Sequence, residues 1–154
     1  TFMRNVKQGD SIGSIAVHSV SPGCSSGDHL HFEVHKNGSV DNPNNYLKPG
    51  GYTYANGYDQ SFYGSINPSG SLPWPLNETV IIHQGYGSHP FAQSFYPSGI
   101  HAGIDMYHSS RTVKAVKDGK LYGGSYKCSN GTLLYAKVEH DDGLVTWYLH
   151  MVPK

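Results

Sequence analysis

The chain has 154 residues, which is enough for one compact domain with its own core. Acidic and basic residues balance to a net charge of zero, and charged residues make up only 14% of the chain, which argues against nucleic-acid binding. No apolar run is long enough to span a membrane. The conspicuous excess is ten histidines, and histidine is the commonest metal ligand and titrates near neutral pH.

Short strands separated by turns are predicted along most of the chain. The first signals are "VKQGDSIGSIAV" at 6–17, a strand pair with Gly-Asp in its turn, and "HLHFEVH" at 29–35, which runs into a hairpin turn at 36–39. Further along, "ETVIIHQGYG" at 78–87 predicts a strand that enters a glycine-rich bend, and 111–124 and 131–151 each predict two strands around an Asp-Gly pair. These elements predict a mainly β domain with an antiparallel sheet core and one short helix.

Residues 44–73 differ from the rest of the chain in composition. They are rich in Gly, Tyr, Asn and Ser, and they show little periodicity. We therefore expect a surface connection there rather than part of the core.

Two histidines one residue apart open the strand predicted at 29–35. Side chains alternate along a strand, so His29 and His31 face the same side. Two imidazoles on the floor of a cleft can share a metal site, whereas two on an open strand are surface residues. This stretch alone does not distinguish a metal site from a pair of surface histidines.

A second pair of candidate ligands lies in "HAGID" at 101–105. His101 and Asp105 can converge on one ion if the chain turns, and Gly103 permits such a turn. Two histidines and a carboxylate form a recognised set for catalytic zinc, which keeps a further position open. His150 follows "WYL" and is either a residue at the cleft rim or an exposed strand end.

Taken together, these stretches resemble the lysostaphin-like, LytM-domain family of zinc endopeptidases. The family pattern is H-x-x-x-D, then Y-x-H, then H-x-H, and the chain contains "HAGID", "YLH" and "HLHFEV". The neighbouring stretches "VKAVKDGKL", "VKQGDSIGSI" and "DNPNNYL" also resemble family segments. The resemblance covers roughly residues 1–48 and 72–154, and it implies a LytM-type peptidase fold with a catalytic groove.

The order of the motifs departs from the family. "HLH" precedes "HAGID" here, whereas the family pattern ends with H-x-H. We therefore expect one circularly permuted domain over 1–154, in which 72–154 form the N-terminal half of the family pattern, 1–48 the C-terminal half and 49–71 a connecting segment. Thr1 and Lys154 should then lie close together, and the chain should be a monomer. The alternative is a window cut across two tandem domains, which requires a domain-swapped dimer.

The resemblance also implies roles for five residues. His31, His101 and Asp105 would bind zinc, and His29 and His150 would lie beside the metal to move protons at its water and stabilise the oxyanion. The other histidines are interpreted as surface or structural residues, with His83 and His89 the least secure because they flank a glycine-rich bend: His18, His35, His83, His89, His108 and His140.

The activity implied is a zinc-dependent endopeptidase that cleaves peptidoglycan stems or cross-bridges by attack of a zinc-bound water. Alternatives are a non-catalytic zinc or cell-wall binding or activator module, and a zinc D-Ala-D-Ala carboxypeptidase. The expected location is secreted, periplasmic or at the cell wall. A disulfide between Cys24 and Cys128 would agree with that location, and two inert buried thiols are the alternative.

Overall fold

Short segments of alternating buried and exposed residues form two β-sheets in the computed structural model, which describes residues 2–17, 27–128 and 131–154. The fold is mainly β, with 45% strand and 9% helix. The prediction of a mainly β domain is therefore confirmed.

The secondary-structure elements are numbered in chain order. The strands are β1 (Phe2–Val6), β2 (Ser11–Ile15), β3 (Leu30–Lys36), β4 (Ser39–Asp41), β5 (Tyr52–Tyr54), β6 (Val80–Gln84), β7 (Ile104–Tyr107), β8 (Thr112–Lys114), β9 (Gly119–Lys127), β10 (Thr132–Glu139), β11 (Leu144–Leu149) and β12 (Met151–Pro153). The helices are α1 (Gln60–Tyr63) and α2 (Pro90–Phe95), together with a 3₁₀ turn at Pro43–Asn45.

The larger sheet has the strand order β1-β9-β10-β11-β3-β7-β6-β5, with β4 also paired to β3. Its neighbours are antiparallel except β5 and β6, which are parallel. The smaller sheet has the order β12-β2-β8. Strand β3 lies inside the larger sheet, so it is paired along both edges, with β11 on one side and β7 on the other.

Two of the predicted hairpins are present. At the β3–β4 turn Asn37 and Gly38 adopt φ values of 51° and 87°, the left-handed conformations that a two-residue hairpin requires. Strands β10 and β11 pair as the turn at Asp142-Gly143 predicts.

The strand pair predicted at 6–17 is wrong as a pairing. Two strands form there, but β1 pairs with β9, whereas β2 pairs with β12 and β8 in the other sheet. Strands β8 and β9 likewise form on either side of Asp118-Gly119 but belong to different sheets. Turn residues indicate where a strand ends, but they do not determine which strand it pairs with when the chain crosses from one sheet to the other.

The prediction that 44–73 lie outside the core is also wrong. Leu47 is fully buried and Ile66 is 4% exposed, both within the hydrophobic core, and β5 adds a strand to the larger sheet. The tyrosines explain why the sequence did not indicate this packing. A tyrosine can bury its ring while its hydroxyl bonds a polar partner, so a tyrosine-rich segment can pack in the core without an apolar pattern. Tyr58 illustrates this, since its hydroxyl donates to the carbonyl oxygen of Gly64 at 2.6 Å.

Two short helices lie within the described ranges, where one was expected. His89 caps the N-terminus of α2, where its Nδ1 accepts a hydrogen bond from the backbone N–H of Ala92 at 3.2 Å. Across the described ranges, no helix has the length and apolar character needed to cross a bilayer.

Three predictions involve residues outside the described ranges: the proximity of Thr1 to Lys154, the role of His18 and the pairing of Cys24. Within those ranges, the Arg4 guanidinium donates to the carbonyl oxygen of Lys154 at 2.8 Å, so the last residue lies beside β1. Cys128 is disulfide-bonded. Its pairing with Cys24 stays a prediction.

Candidate metal centre

Strand β3 places three polar side chains on one face. Leu30, Phe32 and Val34 are fully buried in the core, so the alternating positions, including His31, face the other side of the strand. In the antiparallel register of β3 and β7, His31 is directly opposite Asp105. His31 Nδ1 lies 2.7 Å from Asp105 Oδ1.

His101 reaches the same carboxylate from the loop that precedes β7. Its Nε2 lies 3.3 Å from Asp105 Oδ1, and the residue is 2% exposed. A backbone bridge between His101 and Gly87 fixes this loop, and the His101 ring stacks on Tyr96 with centroids 5.5 Å apart. The position of this imidazole is therefore set by both backbone and ring contacts.

His31, His101 and Asp105 together form a group that could hold a metal ion. One potential ligand atom from each lies within 4.8 Å of the others. The three residues predicted as ligands from separate stretches of the sequence are thus brought together in the fold.

The nitrogens that face away from the group are both engaged. His31 Nε2 lies 2.7 Å from Glu33 Oε2, and His101 Nδ1 lies 2.9 Å from the carbonyl oxygen of Gly85. A carbonyl only accepts hydrogen bonds, so His101 donates from Nδ1, and its Nε2 is the nitrogen that faces the centre. Such outer contacts are the usual way in which metal-binding imidazoles are oriented.

The charges of the group are strongly perturbed. Burial raises the pKa of Asp105, but His101, His29 and His31 outweigh that effect and hold the pKa well below its usual range. Burial lowers the pKa of His31, but its hydrogen bonds to Asp105 and Glu33 prevail and raise that pKa to about 10. Without a metal, the group is therefore an ionised carboxylate beside a protonated imidazole.

The other two predicted histidines lie next to this group. His29 Nε2 is 3.5 Å from Asp105 Oδ2, and the rings of His29 and His150 have centroids 5.6 Å apart. His150 is 8% exposed and has a left-handed φ of 64°, so its reading as an exposed strand end is wrong. Burial, together with His29 and His31, lowers the pKa of His150 to about 4, which keeps the ring neutral.

Two buried side-chain polar atoms in the described part of the chain have no hydrogen-bond partner, and both belong to this site. They are Nδ1 of His150 and Oε1 of Gln84. Gln84 also holds the carboxylate, since its Nε2 donates to Asp105 Oδ2 at 3.3 Å. Buried polar atoms normally have a hydrogen-bond partner, so these two atoms indicate a position for water or a ligand.

The group lies in an open cleft of about 870 Å³. Its lining includes side chains from α2 and the loop that follows it, and side chains from β9, β10 and β11. Large apolar side chains come from both groups: Phe91, Phe95, Tyr96 and Ile100 from the first, and Tyr126, Leu133 and Leu149 from the second. Neither Lys nor Arg is among the described lining residues.

Gly103 does not have the role that the sequence suggested, which was to permit a turn. It does not have a positive φ, so no glycine-specific turn is required there. A Cβ at this position would clash with the backbone oxygen of Phe32 and lie 3.0 Å from His31 Nε2. Gly103 is therefore needed for close approach of the loop to β3.

The histidines without a predicted role are largely structural. His140 is buried, with Nδ1 2.6 Å from the carbonyl oxygen of Asp118. His89 is the buried cap of α2, while His108 is half-buried. His83 does line the cleft, as its neighbourhood suggested, although it is outside the group that could hold a metal.

Glu33 and Gln84 contribute to the site but were not predicted. Glu33 had a readable signal, because it is two positions after His31 on the same face of a strand. Gln84 had none, since its contact with Asp105 depends on how β6 packs against β7.

Comparisons of the chain with protein-family models, with curated proteins and with solved structures found no match. The resemblance described above therefore depends on the quoted motifs alone, and function is inferred from the geometry of the cleft.

Proposed function

We propose that the protein is a zinc-dependent endopeptidase of the lysostaphin-like, LytM type that cleaves peptide bonds in bacterial peptidoglycan. The observation that carries the proposal is the arrangement of five polar side chains in one cleft. His31, His101 and Asp105 converge within 4.8 Å, and His29 and His150 lie next to them without belonging to the group.

The donor set fits zinc. Two imidazole nitrogens and one carboxylate are typical zinc ligands, whereas calcium and magnesium prefer sites made of oxygen. Both imidazoles are already oriented by Glu33 and by the carbonyl oxygen of Gly85. When bound, zinc would supply Lewis-acid polarisation of a carbonyl group and activation of water.

His29 and His150 are proposed to handle protons. A neutral imidazole accepts a proton at one nitrogen and donates from the other, which suits both general-base catalysis and stabilisation of a developing oxyanion. His150 is kept neutral by its environment, and its Nδ1 has no partner within the described protein. Both rings border the cleft, so substrate can reach them.

An endopeptidase is favoured over a carboxypeptidase by the charge of the cleft. A carboxypeptidase needs a cation for the terminal carboxylate of its substrate. The described lining residues include no Lys or Arg, and nearby Arg111 is already paired with Asp28 at 3.0 Å. An uncharged internal peptide segment suits this lining better.

A non-catalytic binding or activator module is disfavoured by the residues next to the ligands. A structural metal site needs its ligands only, yet this cleft also retains His29 and His150. The aromatic side chains in the cleft lining suit a flexible peptide with sugars nearby. The disulfide at Cys128 supports an oxidising location, in agreement with a protein that is secreted, periplasmic or at the cell wall.

The permuted motif order and a monomeric state form part of the proposal. "HLH" and "HAGID" come together within one chain, so a domain swap is not needed to complete the site. Strand β12, which follows His150, pairs with β2 near the start of the chain. This pairing of the two chain ends supports the proposed permuted order.

Digestion of purified cell walls tests the proposal. Wild-type protein should release new amino termini, a chelator should abolish the release and added zinc should restore it, while Asp105→Asn should be inactive throughout. Release of free D-alanine would favour the carboxypeptidase instead. Sedimentation with walls without any hydrolysis would favour the binding module.

A further inference from the structure

We infer that Glu33 is a positioning residue for the metal ligand His31, and that His35 in turn holds Glu33 in place. The inference depends on the metal centre of the proposed function. Residues 31, 33 and 35 alternate along β3 and so share one face of the strand. Glu33 bridges its two neighbours, with Oε2 2.7 Å from His31 Nε2 and Oε1 2.7 Å from His35 Nε2.

The contact with Glu33 determines which nitrogen of His31 is free. A carboxylate accepts the N–H of His31 at Nε2, so once the Nδ1 proton has left, the free lone pair is on Nδ1, the nitrogen that faces Asp105. Without this acceptor, a neutral imidazole can carry its proton on either nitrogen, and the ring can also rotate. The metal would then have to select the competent tautomer at each binding event, which weakens binding.

Glu33 is itself fixed on its outer side. The ring of His35 lies against Trp147 with centroids 5.7 Å apart, and Trp147 is opposite Glu33 in the pairing of β11 with β3. The Glu33 side chain is only 16% exposed, so it cannot turn to solvent without losing both imidazole contacts. The chain from Trp147 through His35 and Glu33 to His31 therefore supports the ligand from the strand face.

The test is zinc affinity of the full chain, measured by competition with a chelator of known affinity. Glu33→Ala should weaken zinc binding by about 10–100-fold, the usual effect of losing an outer partner of a ligand. Glu33→Gln should recover much of the loss, because its amide oxygen still accepts from Nε2–H. Glu78→Ala is the matched control, since Glu78 is exposed and lies outside the cleft lining, and it should leave affinity unchanged.

His35→Ala should give a smaller loss than Glu33→Ala and should add nothing further in the Glu33→Ala background. A purely structural role would not produce this coupling. As a second readout, the visible absorption of the cobalt-substituted protein should change in Glu33→Ala but not in Glu78→Ala, because the spectrum reports ligand geometry.

Wild-type affinity and spectrum in both Glu33→Ala and His35→Ala would overturn the inference. If Glu33→Ala does not fold, His35→Ala decides, and wild-type affinity and spectrum in that variant would overturn the inference. Failure of wild-type protein to bind zinc is a separate outcome, which removes the proposed function itself.

Discussion

His31 and Asp105 face each other across the antiparallel pairing of β3 and β7, with Nδ1 of the imidazole 2.7 Å from Oδ1 of the carboxylate. Two residues 74 positions apart in sequence thus form the centre of the cleft. The register of β3 and β7 places the two residues opposite each other, so the pairing of the strands itself brings the imidazole to the carboxylate.

Zinc should stabilise the wild-type protein and not Asp105→Asn. An ion that binds only the folded chain raises the free energy of unfolding, by about 2.7 kcal/mol at a free concentration of 100 times Kd. Asn keeps the shape of Asp but loses the charge that attracts the ion. Thermal unfolding with and without zinc measures the difference, and an equal shift in both proteins would remove Asp105 from the ligand set.

Metal binding near neutral pH should release about one proton from His31. The pKa of His31 is raised to about 10 in the metal-free chain, so its Nδ1 proton must leave before that nitrogen can bind an ion. Affinity should therefore rise about tenfold per pH unit below that pKa. Calorimetry in buffers of different ionisation enthalpy counts the protons, and a count of zero would contradict the prediction.

The same pKa shift affects the stability of the metal-free chain. The folded-state pKa of His31 is raised above the unfolded value of 6.5, so the stabilisation is complete below about pH 6.5 and is lost as the pH rises through about 10. Denaturant unfolding of the metal-free protein across this window should show the loss. His31→Gln should make that part of the curve flatter, and an unchanged slope would show that other groups determine it.

Removing His29 or His150 should abolish most turnover while the metal stays bound. General acid–base or oxyanion roles are worth about two to four orders of magnitude in rate. His29→Ala is suitable at the first position, but His150 has a φ of 64°, which Asn tolerates better than Ala, so His150→Asn is the cleaner variant. Turnover on cell walls and zinc content should be measured on the same samples.

His83→Ala is the matched control for these two variants, because His83 lines the same cleft but has no assigned role. It should stay within a few-fold of wild type. If His29→Ala and His150→Asn were as active as His83→Ala, neither histidine would be part of the chemistry.

The three residues that could hold a metal ion could be predicted from the sequence because each of the motifs that contain them is short and local. Strand alternation places His29 and His31 on one face, and only their meeting with Asp105 requires the fold. Gln84 and the carbonyl oxygen of Gly85 could not be predicted, since no local pattern indicates a contact made by packing β6 against β7. Sheet partners of β1 and β2 were missed for the same reason.

Gly103→Ala should destabilise the fold and weaken metal binding together. The added methyl group would meet the backbone oxygen of Phe32 and approach His31, so β3 and the loop before β7 would have to move apart. Overpacking of this kind costs about 1–3 kcal/mol, and a rigid backbone neighbour favours the upper end. Gly27→Ala, with open space at its Cβ and no positive φ, should have little effect on either measurement. Normal stability and affinity in Gly103→Ala would mean that the loop can shift freely.

A rearranged chain with the motifs in family order should fold and bind zinc as the natural order does. It would begin at Tyr58, run to Lys154, continue through a linker of about six Gly and Ser residues to Thr1 and end at Gly57. The new ends would fall in an exposed turn between β5 and α1, where opening is best tolerated. A short linker is chosen because Arg4, in β1, contacts the carbonyl oxygen of Lys154.

A second rearrangement opened at Gly103, which separates His101 from Asp105, is the control and should lose the metal. Melting temperature, zinc affinity and turnover of both chains provide the comparison. A rearranged chain that is folded but cannot bind zinc would contradict the permuted-order reading.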